Sequence, residues 1–191
     1  MEIYTKDQFY SKKNAILKKI RKGAVFIYPT DTIYGIGCDA RNFESVKKIL
    51  EIKETREKPL SVIAPSKEWI TKNCDIDDDY GKAWMKKLPG AYTLILRLKN
   101  NKSVAKNVNI GVNTLGVRIP NHWISEIGKE LGFPIITTSV NKADNEFMTC
   151  LEDLDEKIKE KVEFIIYEGK KSNRPSSIVD LSKDNLVISE R

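Results

Sequence analysis

Tyr28-Pro29-Thr30-Asp31-Thr32-Ile33-Tyr34-Gly35-Ile36-Gly37 is the stretch from which the rest of the chain is read. The apolar run leading into it, Ala24 to Tyr28, has the composition of a buried strand. Pro29 ends that run, because a residue without an amide hydrogen cannot donate to a sheet ladder. Two threonines, an aspartate, a tyrosine and two glycines follow. They put polar groups and permissive backbone just past a strand end, where open α/β folds hold ligands. A turn merely rich in Thr and Gly has the same composition, so the segment is weighed together with the rest of the chain.

The 191 residues are read as one domain, 1–191, and 40% hydrophobic content is enough for a real core. Lys and Arg exceed Asp and Glu, 33 against 27, for a net charge of +6 and a pI near 9.1. That balance favours anionic partners such as nucleotides, phosphates or RNA, although the scattered charges equally serve a solvated surface. Cys38, Cys74 and Cys150 are odd in number and far apart, no Cys-x-x-Cys pair exists, and His122 is the only histidine. These residues argue against a zinc site or a disulfide framework, and reduced thiols fit the cytoplasm. No apolar run approaches membrane-spanning length and no secretory leader is visible, so a soluble, cytoplasmic protein is expected.

Outward from the opening stretch, the N-terminal Met1-Glu2-Ile3-Tyr4 is read as leading directly into a helix over 6–22. That helix has the capping box Thr5-Lys6-Asp7-Gln8 and Gly23 as its stop. A second helix is expected from Asn42 to Lys53. Lys53-Glu54-Thr55-Arg56-Glu57-Lys58-Pro59 then places three cations between that helix and a strand at 60–64, as a solvated loop or as a phosphate clamp. Helices are read from Ser66, over 80–87 and over 123–131, with Gly132 as a cap. Strands are read over 92–98, 115–120, 134–141, 164–167, 176–181 and 186–189, and the polar 99–110 segment as a mobile loop or edge hairpin. Thr149-Cys150-Leu151-Glu152 is read as the cap of one helix reaching Lys161.

Arg118, inside an otherwise apolar strand, is costly to bury unless it meets an anion, so it reads as a ligand anchor or as the solvent-facing side of that strand. Thr/Ser-bearing strand ends recur at 30–32, 137–139 and 176–177. With Arg118 and the cations at 53–58 they point to one polar pocket for a small charged ligand. A single histidine gives no Ser-His-Asp triad, and neither a P-loop nor a Gly-x-Gly-x-x-Gly fingerprint is present.

The order of these motifs resembles the YrdC/Sua5 family. Besides residues 28–37, the resemblance is carried by Lys-Pro-Leu-Ser-Val at 58–62, Leu-Pro-Gly-Ala-Tyr-Thr-Leu at 88–94 and Gly-Val-Arg-Ile-Pro-Asn-His at 116–122. Ser139-Val140-Asn141 and Ser176-Ser177-Ile178-Val179-Asp180 complete it. The resemblance implies an α/β (α+β type) fold: a twisted, mixed parallel and antiparallel sheet flanked by helices around a basic groove, in the single-domain form. It implies a nucleotidyltransferase that condenses L-threonine, bicarbonate or CO2, and ATP to threonylcarbamoyl-AMP and pyrophosphate, for the t6A modification of tRNA. Mg2+ would come with ATP, with no metal site in the protein. The product would go to a tRNA threonylcarbamoyl transferase complex, with direct RNA binding a further expectation and no membrane partner.

By the same resemblance, Thr32, Arg118, Thr137 and Ser176 form the threonine shell. Lys53, Arg56, Lys58, Thr114, Ser139, Asn141 and Arg191 form the ATP shell, and no side chain is assigned as general base. The chain departs from the family's Lys-x-Arg spacing with Lys53-x-x-Arg56, and carries Ala91 where the family has a second proline. Two other readings use the same residues: a non-enzymatic RNA-binding module, and a carbamoyl-adenylate-forming domain of the hydrogenase-maturation type. The latter comes with paired cysteines that this chain lacks.

Overall fold

Glu2–Tyr4 forms the first strand (β1), where the sequence had been read as running straight into a helix. The computed structural model describes residues 1–54, 58–142, 145–183 and 186–190. The Thr5–Gln8 capping box is present, but the expected 6–22 helix is two helices, α1 (Lys6–Ser11) and α2 (Lys13–Arg21), broken at Lys12. Phe9 on α1 and Ile16, Leu17 and Ile20 on α2 all reach one core, at the i, i+7, i+8, i+11 spacing of a single helical face. The apolar run ends in β2 (Phe26–Tyr28), and the Gly-Ile-Gly that had been read as part of a turn is a second strand, β3 (Gly35–Gly37). A Cβ on Gly37 would lie 2.1 Å from the Ile136 carbonyl oxygen, so the glycine is there for close strand approach, not only for a turn.

The chain continues through α3 (Phe43–Ile52, capped by Asn42), β4 (Ser61–Ile63), α4 (Lys67–Asn73, capped by Ser66) and α5 (Asp79–Lys86, capped by Asp78). It proceeds to β5 (Tyr92–Arg97), β6 (Thr114–Arg118), α6 (Ser125–Leu131) and β7 (Ile135–Ser139). Gly132 ends α6 at φ 74°, in the left-handed region. The single helix expected up to Lys161 is a 3-10 turn, Leu151–Asp153, followed by α7 (Glu156–Lys161), because Asp155 caps α7 from within. The last strands are β8 (Phe164–Ile166), β9 (Ser177–Asp180) and β10 (Val187–Ser189).

Among the described residues these strands form one mixed sheet, ordered β1-β8-β2-β3-β7-β4-β6-β5-β9-β10. The β1–β8, β8–β2, β4–β6 and β5–β9 pairs are parallel and the others antiparallel. The 99–110 segment is a loop and not an edge hairpin: Val104, Ala105 and Val108 are buried, and its backbone is tied to Ala40 and Leu60.

Strand alternation sorts the sheet's residues into two faces. Ile36, Ile136, Val62, Val117, Leu94 and Val179 face one core, filled by Val46, Ile49 and Leu50 of α3 and by Ile70, Trp84 and Met85 of α4 and α5. At about 2 kcal/mol for each fully buried aliphatic side chain, this layer fixes the sheet. On the other face, α1, α2 and α6 cover Phe26, Tyr28, Phe164, Ile63 and Ile135. Two residues further along β4 and β7, that same face turns polar, and the pocket begins there.

Candidate active site

The pocket floor is a patch of the second sheet face. Gly35 of β3, Thr137 and Ser139 of β7, Ser61 of β4, Thr114, Gly116 and Arg118 of β6, Thr93 and Ile95 of β5, and Ile178 of β9 all line it, from six neighbouring strands. Register explains the convergence, since Ser61 pairs with both Thr137 and Gly116, and Gly116 with Ile95. Thr30, Thr32 and Tyr34 form one wall and Pro175 and Ser176 another, around a cavity of about 510 Å3, a size typical of small-molecule sites. Gly116 is required where it stands: a Cβ there would meet the Ser61 hydroxyl at 2.3 Å.

Arg118 lies where the apolar part of the face meets the polar part, and it is only 5% exposed. Its Nη2 donates to Asp31 Oδ1 at 2.5 Å and its Nη1 to Thr32 Oγ1 at 3.4 Å. Its Nε is buried and has no hydrogen-bond partner among the described residues. Burial pulls the guanidinium's pKa down and Asp31 pulls it back up. A buried cation with one countercharge and N–H donors to spare, on Nε and on each Nη, is equipped to take a carboxylate. In this structure the countercharge of Arg118 is Asp31.

Hydroxyls set the rest of the wall. Thr30 Oγ1 donates to the Ile33 carbonyl at 2.7 Å, so in its 2.9 Å contact with Thr32 the Thr32 hydroxyl is the donor. A directed chain from Arg118 through Thr32 and Thr30 to a backbone carbonyl results. Across the pocket, Thr93 Oγ1 and Ser176 Oγ share one hydrogen bond of 2.9 Å, which leaves one of the two hydroxyl protons for a ligand.

The residues expected to hold ATP are only partly gathered here. Thr114 and Ser139 line the pocket. Lys53, 8% exposed, stands behind Ser139: its Nζ donates to the Ser139 carbonyl at 2.9 Å and to Asn141 Oδ1. The Ser139 hydroxyl also donates to Asn141 Oδ1, at 2.6 Å. Lys53, Ser139 and Asn141 thus form one cluster, of which Ser139 alone faces the cavity. Lys58 is exposed, next to Pro59, which lines the pocket. Arg56 and Arg191 lie outside the described residues.

The strap from Glu168 to Ser176 reaches the pocket wall at Pro175 and Ser176. Glu168 accepts from His122 Nε2 and Trp123 Nε1, each at 2.8 Å, and from Lys171. The Tyr34 hydroxyl donates to the Gly169 carbonyl at 2.6 Å and accepts from the Glu168 amide. Burial and nearby Lys171 lower the His122 pKa, Glu168 and Asp31 raise it, and the net shift is downward. Burial also raises Glu168, but its hydrogen bonds from Lys171 and Trp123 and the nearby His122 hold it below the usual carboxylate value.

All four residues expected to bind threonine, Thr32, Arg118, Thr137 and Ser176, therefore share one cavity. Sequence reasoning looked at strand ends and missed the strand interiors. Thr93 and Ser61 were detectable as small polar residues on the pocket side of alternating strands, in register with Ile178 and Thr137. Nothing local in the sequence marks Asp31 as the partner of a residue 87 positions away.

Mixed sheet, two helical layers and a hydroxyl-lined pocket around a buried arginine define an α/β small-molecule site. The Sua5/YciO/YrdC family pattern, described as telomere recombination, matches residues 18–191, and the chain belongs to this family. A Methanocaldococcus jannaschii protein provisionally named threonylcarbamoyl-AMP synthase is 34% identical, over 98% of this chain and 89% of its own length. The threonylcarbamoyl-AMP synthase of Vibrio campbellii is 28% identical, over 90% of this chain and 95% of its own. Sua5 of P. abyssi complexed with L-threonine superposes with a TM-score of 0.85 at 26% identity, covering 98% of this chain, which spans 56% of the length of that Sua5. Escherichia coli YciO superposes at 0.86 over 100% of this chain and 96% of its own; at 23% identity it speaks for the fold alone.

Proposed function

We propose that this protein is a threonylcarbamoyl-AMP synthase, a nucleotidyltransferase acting on L-threonine, bicarbonate or CO2, and ATP. The observation that carries the reading is the meeting of Arg118, Thr32, Thr137 and Ser176 in one cavity with Thr114 and Ser139. The names of the relatives and the threonine bound to P. abyssi Sua5 support it.

The threonine carboxylate is held by the Arg118 donors, with the Thr32 and Ser176 hydroxyls beside it. The threonine amine attacks CO2 and, on losing a proton, becomes a carbamate. A carbamate oxygen then attacks the α-phosphorus of ATP; the bond to the bridging oxygen breaks and pyrophosphate leaves. The protein's share is to hold anions together and stabilise developing charge, with no side chain assigned as an obligatory base. Among the described residues no group of three or more His, Cys, Asp or Glu could hold a metal ion. Mg2+ is proposed as substrate-borne, entering on the triphosphate, whose oxygens are the ligands it prefers.

In this reading the product passes to a tRNA threonylcarbamoyl transferase for the t6A modification. Among the described residues no helix is long and apolar enough to cross a membrane. Pyrophosphate release from ATP is the test: it should require both L-threonine and bicarbonate, and the product should have the mass of threonylcarbamoyl-AMP. RNA binding without threonine-dependent pyrophosphate release would replace the enzyme by an RNA-binding module.

A further inference from the structure

We infer that Asp31 is a positioning residue for the amino-acid half of the pocket, acting through Arg118 without touching the ligand. The inference rests on the reading of Arg118 as the carboxylate anchor. Asp31 does not line the cavity, whereas its sequence neighbours Thr30 and Thr32 and its partner Arg118 do. It stands behind the wall and joins three segments. Its Oδ1 accepts from Arg118 Nη2 at 2.5 Å, its Oδ2 accepts from the Asn121 amide at 2.9 Å, and its backbone carbonyl accepts from Asn173 Nδ2 at 2.9 Å. The Arg118 and Asp31 side chains are 6% and 13% exposed, so this is an ion pair largely shielded from water.

A guanidinium in such a place needs a countercharge in the absence of ligand, and its plane has to be fixed if its remaining donors are to meet a carboxylate. The Asn121 amide holds the carboxylate, the carboxylate holds Nη2, and Nη1 is then directed to Thr32. That leaves the second N–H of each Nη, beside a buried Nε that has no partner among the described residues. Asp31 thereby sets which face of Arg118 the amino acid meets.

The test is Asp31→Asn, which keeps size and a hydrogen-bonding oxygen but removes the charge. Its control is Asn173→Ala, which cuts the tie to the Asp31 carbonyl and leaves the carboxylate alone. Two readouts are taken on the folded proteins: calorimetric titration with L-threonine and with ATP, and side-chain 15N spectra of Arg118. In Asp31→Asn we expect threonine affinity to fall about tenfold or more with ATP affinity kept within about twofold. We also expect the Arg118 Nη resonances, distinct in the wild type, to average as the guanidinium rotates freely. Asn173→Ala should change neither. Unchanged threonine affinity or unchanged Arg118 resonances in Asp31→Asn overturn the inference, as does an equal loss in Asn173→Ala, which would make Asp31 a general staple. If the wild-type protein binds no threonine, the functional reading fails instead, and the Arg118 spectra alone decide on Asp31.

Discussion

Arg118 shows how one residue is fixed from both sides. Burial at the boundary of the second core would expel a lone guanidinium, and Asp31 retains it. Its fork geometry matters as much as its charge, because one Nη meets Asp31, the other meets Thr32, and Nε is left over. Arg118→Lys keeps the charge and loses the fork. Threonine affinity should then drop about tenfold, about 1.4 kcal/mol, with ATP affinity changed by less than about twofold. Calorimetric titration of the folded variant measures both; equal losses for the two ligands would remove Arg118 from the threonine shell. The sequence marked this residue because an arginine in an apolar strand is conspicuous. It could not mark Asp31, whose importance comes from a partner 87 positions away.

At the scale of elements, the strap at 168–176 depends on the ionisation of one histidine. His122 Nδ1 accepts from the Ile124 amide at 3.3 Å while its Nε2 donates to Glu168, an arrangement that only the neutral ring can satisfy. Burial and the neighbouring Lys171 lower its pKa from the ordinary 6.5, while Glu168 and Asp31 raise it, and the lowering wins. Because the folded value lies below the unfolded one, this stabilisation is complete above pH 6.5 and is lost as pH falls through the depressed folded value. Urea midpoints should therefore decline below pH 6.5 more steeply in the wild type than in His122→Gln. Parallel declines in the two proteins would assign the acid sensitivity to other groups. The strap's loop composition was legible in the sequence, but its attachment to His122, Trp123 and Tyr34 was not, since each contact joins distant segments. Elements were lost for related reasons. The glycines of β3 looked like turn residues because their need is set by Ile136 and Tyr28 across the sheet. The three residues of β1 offer too short a pattern to declare a strand, and β1 forms only by pairing with β8.

For the whole molecule, the mixed sheet flanked by helices agrees with the expectation drawn from the ordered motifs, and so does the family. Each motif supplies part of the same cavity: residues 28–37, 58–62, 88–94, 116–122, 139–141 and 176–180 all border it or brace a residue that does. The sequence left open how these walls meet, which is decided by register across six strands and by helices α1, α2 and α6 stopping short of one patch of the sheet. The central claim is that this patch holds an amino acid and a triphosphate side by side. A crystal structure of the protein soaked with L-threonine and a non-hydrolysable ATP analogue tests it most directly. The account predicts the threonine carboxylate on Arg118 beside Thr32 and Ser176, with the nucleotide in the same cavity against Thr114 and Ser139. Ligands bound at separate places, or a cavity that accepts neither, would contradict it.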